Sequence, residues 1–258
     1  MKLKEALKTT RERLDSEGIP EAALESELLV QHLLCLDSVQ LFLEHDEELT
    51  SGQSQLLNDL VERRLTGEPL AYITGRREFY GREFGVNPFV LIPRPETEHL
   101  VEKALEIAAQ ISSPVIADIG AGSGAIAVTL AAEMPQARVF AVDISPEALE
   151  TARLNARRHG VEPRIAFLRG DLAAPLSEPV DVLIANLPYV KSADCAASPE
   201  PHLALDGGLE GLDVIERLCK GLRGKLKPGG WVLLEIGQGQ AEAVKTLQQL
   251  PATSANST

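Results

Sequence analysis

From residue 115 onward the chain alternates short apolar runs with amphipathic stretches: VIADIG, AIAVTLAAEM, RVFAVDI, PEALETARLNARRHG, RIAFLRGDL, VDVLIANLPYV, a helical stretch over about 209–226, WVLLEIG and a last helix to about 250. Short unbroken apolar runs suit strands buried on both faces, and strands separated by helices close into a parallel sheet with right-handed crossovers. The fold class expected is therefore α/β, a Rossmann-like doubly wound sheet of five strands. Ligands of such sheets sit at the carboxyl ends of the strands, so the residues following each run carry the functional information.

The first strand runs into DIGAGSGAIA at 118–127. Gly120, Gly122 and Gly124 allow a tight turn and close approach of backbone to ligand, with Ala121 and Ser123 between them. With Ala125 in last place the spacing also fits a dinucleotide fingerprint, which keeps a nicotinamide cofactor or a non-catalytic nucleotide binder open. Asp143 ends the second strand about 20 residues after the loop, where a carboxylate takes both ribose hydroxyls. Asp171 follows the third strand, placed to accept from an exocyclic amine such as adenine N6. Asp118, just before the loop, is out of place beside a pyrophosphate but suits a ligand carrying an ammonium or a sulfonium. S-adenosylmethionine is such a ligand, and the expected cofactor.

The fourth strand ends in Asn186, Leu187, Pro188 and Tyr189. An amide or aromatic amine is a poor nucleophile because its lone pair is delocalised. If the side-chain oxygen of Asn186 and the main-chain carbonyl of Leu187 accept its two N–H groups, the lone pair is held toward a methyl donor, and orientation replaces a strong base. Pro188 stiffens the turn, and Tyr189 offers a ring to a planar acceptor. Asn186, Pro188 and Tyr189 are the candidate catalytic residues. A packed Asn-Pro turn is the plain alternative, and an adenine-N6 methyltransferase acting on rRNA or DNA is the rival activity.

Residues 1–75 show helical spacing without strands, as in Leu3, Ala6, Leu7 and Leu14, in EAALESELLVQHLL, and in LTSGQSQLLNDLVERRLTG. A small helical domain is expected there, a hairpin or extended linker over 76–95, and the methyltransferase domain over 96–258, beginning with a helix whose face is Leu100, Val101, Ala104, Leu105 and Ala108. A net charge of -13 argues against direct nucleic-acid binding. Three scattered cysteines and five histidines without ligand spacing give no metal site. No run of about 18 apolar residues is present, and the start MKLKEALKTTRERL has no signal-peptide core, so a cytoplasmic, membrane-free monomer is expected.

EPLAYITGRREFYG, VLIPRPETE, DIGAGSGAIA, ANLPYV, EPHLALDGGLEGLD and LLEIGQGQ together resemble the peptide chain release factor glutamine N5-methyltransferases, the HemK/PrmC family, over nearly the whole chain. The resemblance implies methyl transfer from S-adenosylmethionine to the side-chain amide of the Gln in the Gly-Gly-Gln loop of release factors. It implies a donor held by Gly120 to Gly124 with Asp143, Asp171 and Asn186, a glutamine met by Asn186, Leu187, Pro188 and Tyr189, and an N-terminal region that grips the release factor. Two departures accompany it. Leu187 occupies the second position of a motif that the family usually writes Asn-Pro-Pro-Tyr, and Asn-Leu-Pro-Tyr also resembles the rRNA adenine dimethyltransferases; and only PATSANST follows the last helix where the family adds two strands, which would leave WVLLEIG as an apolar edge.

Overall fold

The computed structural model describes residues 1–249; the tail PATSANST lies outside the described residues. The chain divides into two compact units, Met1–Arg76 and Arg77–Thr258.

The first unit is helical: α1 (Leu3–Ser16), α2 (Ala22–Leu34), α3 (Ser38–Leu43), α4 (Ser51–Leu65) and α5 (Leu70–Thr74). Leu3, Leu14, Leu29, Val30, Leu57 and Val61 form its core. α4 starts where a capping box is written in the sequence: Thr50 Oγ1 accepts the Gln53 N–H, and the Gln53 side chain accepts the Thr50 N–H. The two short helices, α3 and α5, escape a reading based on periodicity because each spans fewer than two turns. A cap does mark α3, where Asp37 Oδ1 accepts the Gln40 N–H at 2.8 Å.

The second unit opens with a two-stranded hairpin, β1 (Arg76–Phe79) and β2 (Arg82–Gly85). Its turn places Tyr80 and Gly81 at φ 52° and 67°, the left-handed pair that matches strand twist. Then come α6 (Thr97–Ala108), β3 (Val115–Ile119), α7 (Ala125–Glu133), β4 (Arg138–Asp143), α8 (Pro146–Arg158), β5 (Ile165–Arg169), β6 (Val180–Asn186), α9 (Ser192–Cys195), α10 (His202–Leu205), α11 (Asp213–Gly221), β7 (Leu226–Glu235) and α12 (Ala241–Gln249). β3 to β7 form one parallel sheet in the order β5-β4-β3-β6-β7. This is the doubly wound arrangement expected, with its switch point between β3 and β6.

Side chains alternate between the two faces of the sheet. Ile116, Val182 and Ile184 pack with Val101 and Ala104 of α6 and with α7, while Ala117, Leu183 and Ala185 pack with Ile215 and Leu218 of α11. The helix expected over 209–226 is shorter, beginning only at Asp213. The preceding loop passes too close to the rest of the chain for a helix: at Gly211, φ 75°, an added Cβ would lie 2.2 Å from the Tyr189 carbonyl oxygen. Among the described residues β7 is an edge strand, and Trp231 on it is 53% exposed.

Candidate active site

The carboxyl ends of β3, β4 and β6 open into a cavity of about 770 Å³, walled entirely by residues of the second unit. Gly120, Ala121, Gly122 and Ser123 form one wall, Asp143 and Asp171 lie along a second, and Asn186, Leu187 and Pro188 close the end. Of the residues singled out in the sequence, Asp118, Gly124 and Tyr189 stand outside this wall.

The glycine loop is held from behind. The N–H groups of Gly120 and Ala121 both donate to the Val142 carbonyl, at 2.8 and 2.9 Å, and the Gly122 N–H donates to Asp143 Oδ2 at 2.9 Å. Asp143 Oδ1 accepts the Ser145 N–H at 2.9 Å. Burial raises the Asp143 pKa and these N–H groups oppose the rise. At Gly124, φ 80°, an added Cβ would come within 2.9 Å of Ala152 Cβ, so this glycine serves the packing of α7 on α8. Gly120 instead faces the site, its missing Cβ 3.2 Å from Leu187 Cδ2.

Asp118 occupies an α7-facing position of β3, so its carboxylate points at the start of that helix. Oδ2 accepts the Ala127 N–H at 3.0 Å, satisfying a first-turn donor that has no partner within the helix. Oδ1 is buried without a hydrogen-bond partner, and burial pushes the carboxyl up to about 7, helped by the charge of Asp143 and opposed by the Ala127 bond. The expectation that Asp118 faces a ligand is thus replaced by a helix-terminal role behind the loop. Asp171 is engaged as well: Arg217 of α11, another cavity residue, donates to its Oδ2.

Asn186 and Glu235 are partners in the β6–β7 register, both on the face covered by α6. Thr97, the first residue of α6, bridges them: Asn186 Nδ2 donates to Thr97 Oγ1 at 3.1 Å, and Thr97 Oγ1 donates to Glu235 Oε2 at 2.6 Å. The Tyr189 hydroxyl donates to Glu235 Oε1 at 3.2 Å, and burial together with Glu235 raises its pKa. The Tyr189 hydroxyl is therefore tied to the sheet, and the residue stands beside the cavity wall rather than in it.

Two further connections shape the cavity. Asn155 of α8 accepts the Gly85 N–H and donates to the Gly85 and Ser123 carbonyls, stapling β2 to the glycine loop. Glu200, almost buried, accepts from the Ile92 N–H at 2.9 Å and from the Arg94 guanidinium, which joins the segment before α6 to the one before α10. Thr97 and Glu235 lie within PETE and LLEIG, stretches already conspicuous in the sequence. Arg217, Asn155 and Glu200 carry no local signal, since their partners are distant along the chain.

A glycine cradle at the switch point, carboxylates after β4 and β5, and an amide at the end of β6 define a Rossmann-like S-adenosylmethionine-dependent methyltransferase. The residues suit that donor: the loop leaves room where Cβ atoms would intrude, and the carboxylates of Asp143 and Asp171 line the cavity as acceptors for hydroxyl and amine groups. A methyltransferase of Pyrococcus furiosus shares the fold, at a TM-score of 0.51 and 18% identity over 74% of this chain and 86% of that one. The sequence matches the PrmC N-terminal domain over residues 5–75 and a methyltransferase domain over residues 112–256. It is 43% identical to the release factor glutamine methyltransferase of Koribacter versatilis, covering 96% of this chain and 91% of that one. With that of Moorella thermoacetica the figures are 44%, 96% and 89%. The chain belongs to the release factor glutamine methyltransferase family.

Proposed function

We propose that this protein methylates the side-chain amide nitrogen of the Gln in the Gly-Gly-Gln loop of peptide chain release factors. The observation that carries the reading is the position of Asn186, Leu187 and Pro188 on the same cavity as the glycine loop. When bound, S-adenosylmethionine supplies a methyl group on a positively charged sulfur. Gly120 to Ser123, with Asp143 and Asp171, hold that donor, Asp171 being steadied by Arg217. Asn186 Oδ1 and the Leu187 carbonyl accept the two N–H groups of the substrate carboxamide and turn its nitrogen toward the methyl. As the N–C bond forms, the S–CH3 bond breaks with its electron pair left on sulfur as a neutral thioether, and the amide nitrogen, made acidic by the new bond, gives its proton to water without a strong base.

Leu187 supplies a carbonyl, as a proline would, and its side chain is buried in the sheet core, so the departure from the family pattern leaves the acceptor in place. Residues 1–75 contribute the grip on the release factor. A substrate that works on the ribosome supports a cytoplasmic location, and the net charge of -13 favours a protein partner over direct nucleic-acid contact. Among the described residues no helix is long and apolar enough to cross a membrane.

Incubation with labelled S-adenosylmethionine and a purified release factor is expected to label the factor, and label on rRNA alone would replace this reading with the adenine one. Asn186→Ala is expected to lower kcat by about a hundredfold or more, the cost of a lost, preoriented polar group at the reacting centre.

A further inference from the structure

We infer that Thr97 and Glu235 are positioning residues that decide which end of the Asn186 carboxamide meets the substrate. The inference rests on the reading of Asn186 given above. A carboxamide has two ends of similar shape and opposite hydrogen-bonding sense, so an asparagine at an active site needs something to tell them apart.

The carboxylate of Glu235 only accepts. The Thr97 hydroxyl, 2.6 Å from Oε2, therefore commits its single proton there. Only lone pairs of Thr97 are left to face Asn186, which must turn its NH2 toward them, as the 3.1 Å Nδ2–Oγ1 bond records. Oδ1 is thereby left for the cavity. Tyr189 occupies the second carboxylate oxygen and keeps Glu235 in place. The relay is assembled from the ends of two paired strands and the first residue of α6, so it is fixed by the register of the sheet rather than by a loop.

The test uses the full-length protein with isotopically labelled asparagine. The Asn186 side-chain NH2 resonances, assigned by their loss in Asn186→Asp, are expected to exchange slowly with solvent in the wild type and in Thr97→Ser, and rapidly in Thr97→Val. In methyl transfer to a release factor, Thr97→Val is expected to lower kcat about a hundredfold, as misorientation at a reacting centre does, while KM for the factor stays within about twofold. Binding of S-adenosylhomocysteine is expected to stay near that of the wild type. Thr97→Ser should recover most of the rate.

Glu235→Gln should resemble Thr97→Val, because a carboxamide there can donate to Thr97 and release the hydroxyl proton toward Asn186. Unchanged amide exchange in Thr97→Val, or a Thr97→Ser protein as impaired as Thr97→Val, would overturn the inference. A wild-type protein with a protected Asn186 amide that leaves release factors unmethylated would instead overturn the proposed function, and the exchange comparison would still decide the positioning role.

Discussion

At the scale of single residues, Asp118 shows how the fold alters the chemistry its sequence promises. The carboxyl titrates near 3.8 in its ordinary state and at about 7 in the folded chain. Between those values the native state keeps a proton that the unfolded state has lost. The contribution of Asp118 therefore favours folding most at the acid end and becomes steadily less favourable up to about pH 7, the reverse of a salt-bridged carboxylate. Asp118→Asn removes that dependence and retains an acceptor for the Ala127 N–H. Urea unfolding at about pH 5 and about pH 8 is expected to show the variant gaining on the wild type at the higher pH, by on the order of a few kcal/mol. Parallel pH dependences would contradict the burial argument.

At the scale of elements, the parallel sheet and its glycine loop were legible because they depend on local patterns: unbroken apolar strands separated by amphipathic stretches, and closely spaced glycines after the first strand. What stayed hidden was which groups meet across elements. Arg217 on Asp171, Glu235 beside Asn186, and Asn155 between β2 and the glycine loop depend on register and helix docking, which a linear pattern does not state. Asn155 is nearly fully buried and serves three backbone groups, so Asn155→Ala should leave buried donors and acceptors unpaired. A loss of about 1–3 kcal/mol is expected in thermal or urea unfolding, with faster hydrogen exchange at Gly85. Wild-type exchange there would show that the hairpin is held by other contacts, such as the packing of Phe79 and Phe84.

At the scale of the whole molecule, the described cavity is lined by residues of the second unit, and the proposed grip of residues 1–75 on the release factor then makes donor binding and substrate recognition separable. A chain lacking residues 1–76 is expected to bind S-adenosylhomocysteine with nearly full affinity in calorimetry, yet to lose about tenfold or more in kcat/KM for a release factor, since binding energy from remote contacts supports the reaction. Loss of the small ligand together with the large one would place part of the donor site in the helical unit. The central claim, that the end of β6 aims a carboxamide nitrogen at the donor's methyl, is tested most directly by mass spectrometry of a release factor incubated with S-adenosylmethionine and either the wild type or Asn186→Ala. The account predicts one added methyl on the Gly-Gly-Gln glutamine with the wild type and almost none with the variant. Undiminished methylation by Asn186→Ala, or a methyl carried at any other residue, would contradict it.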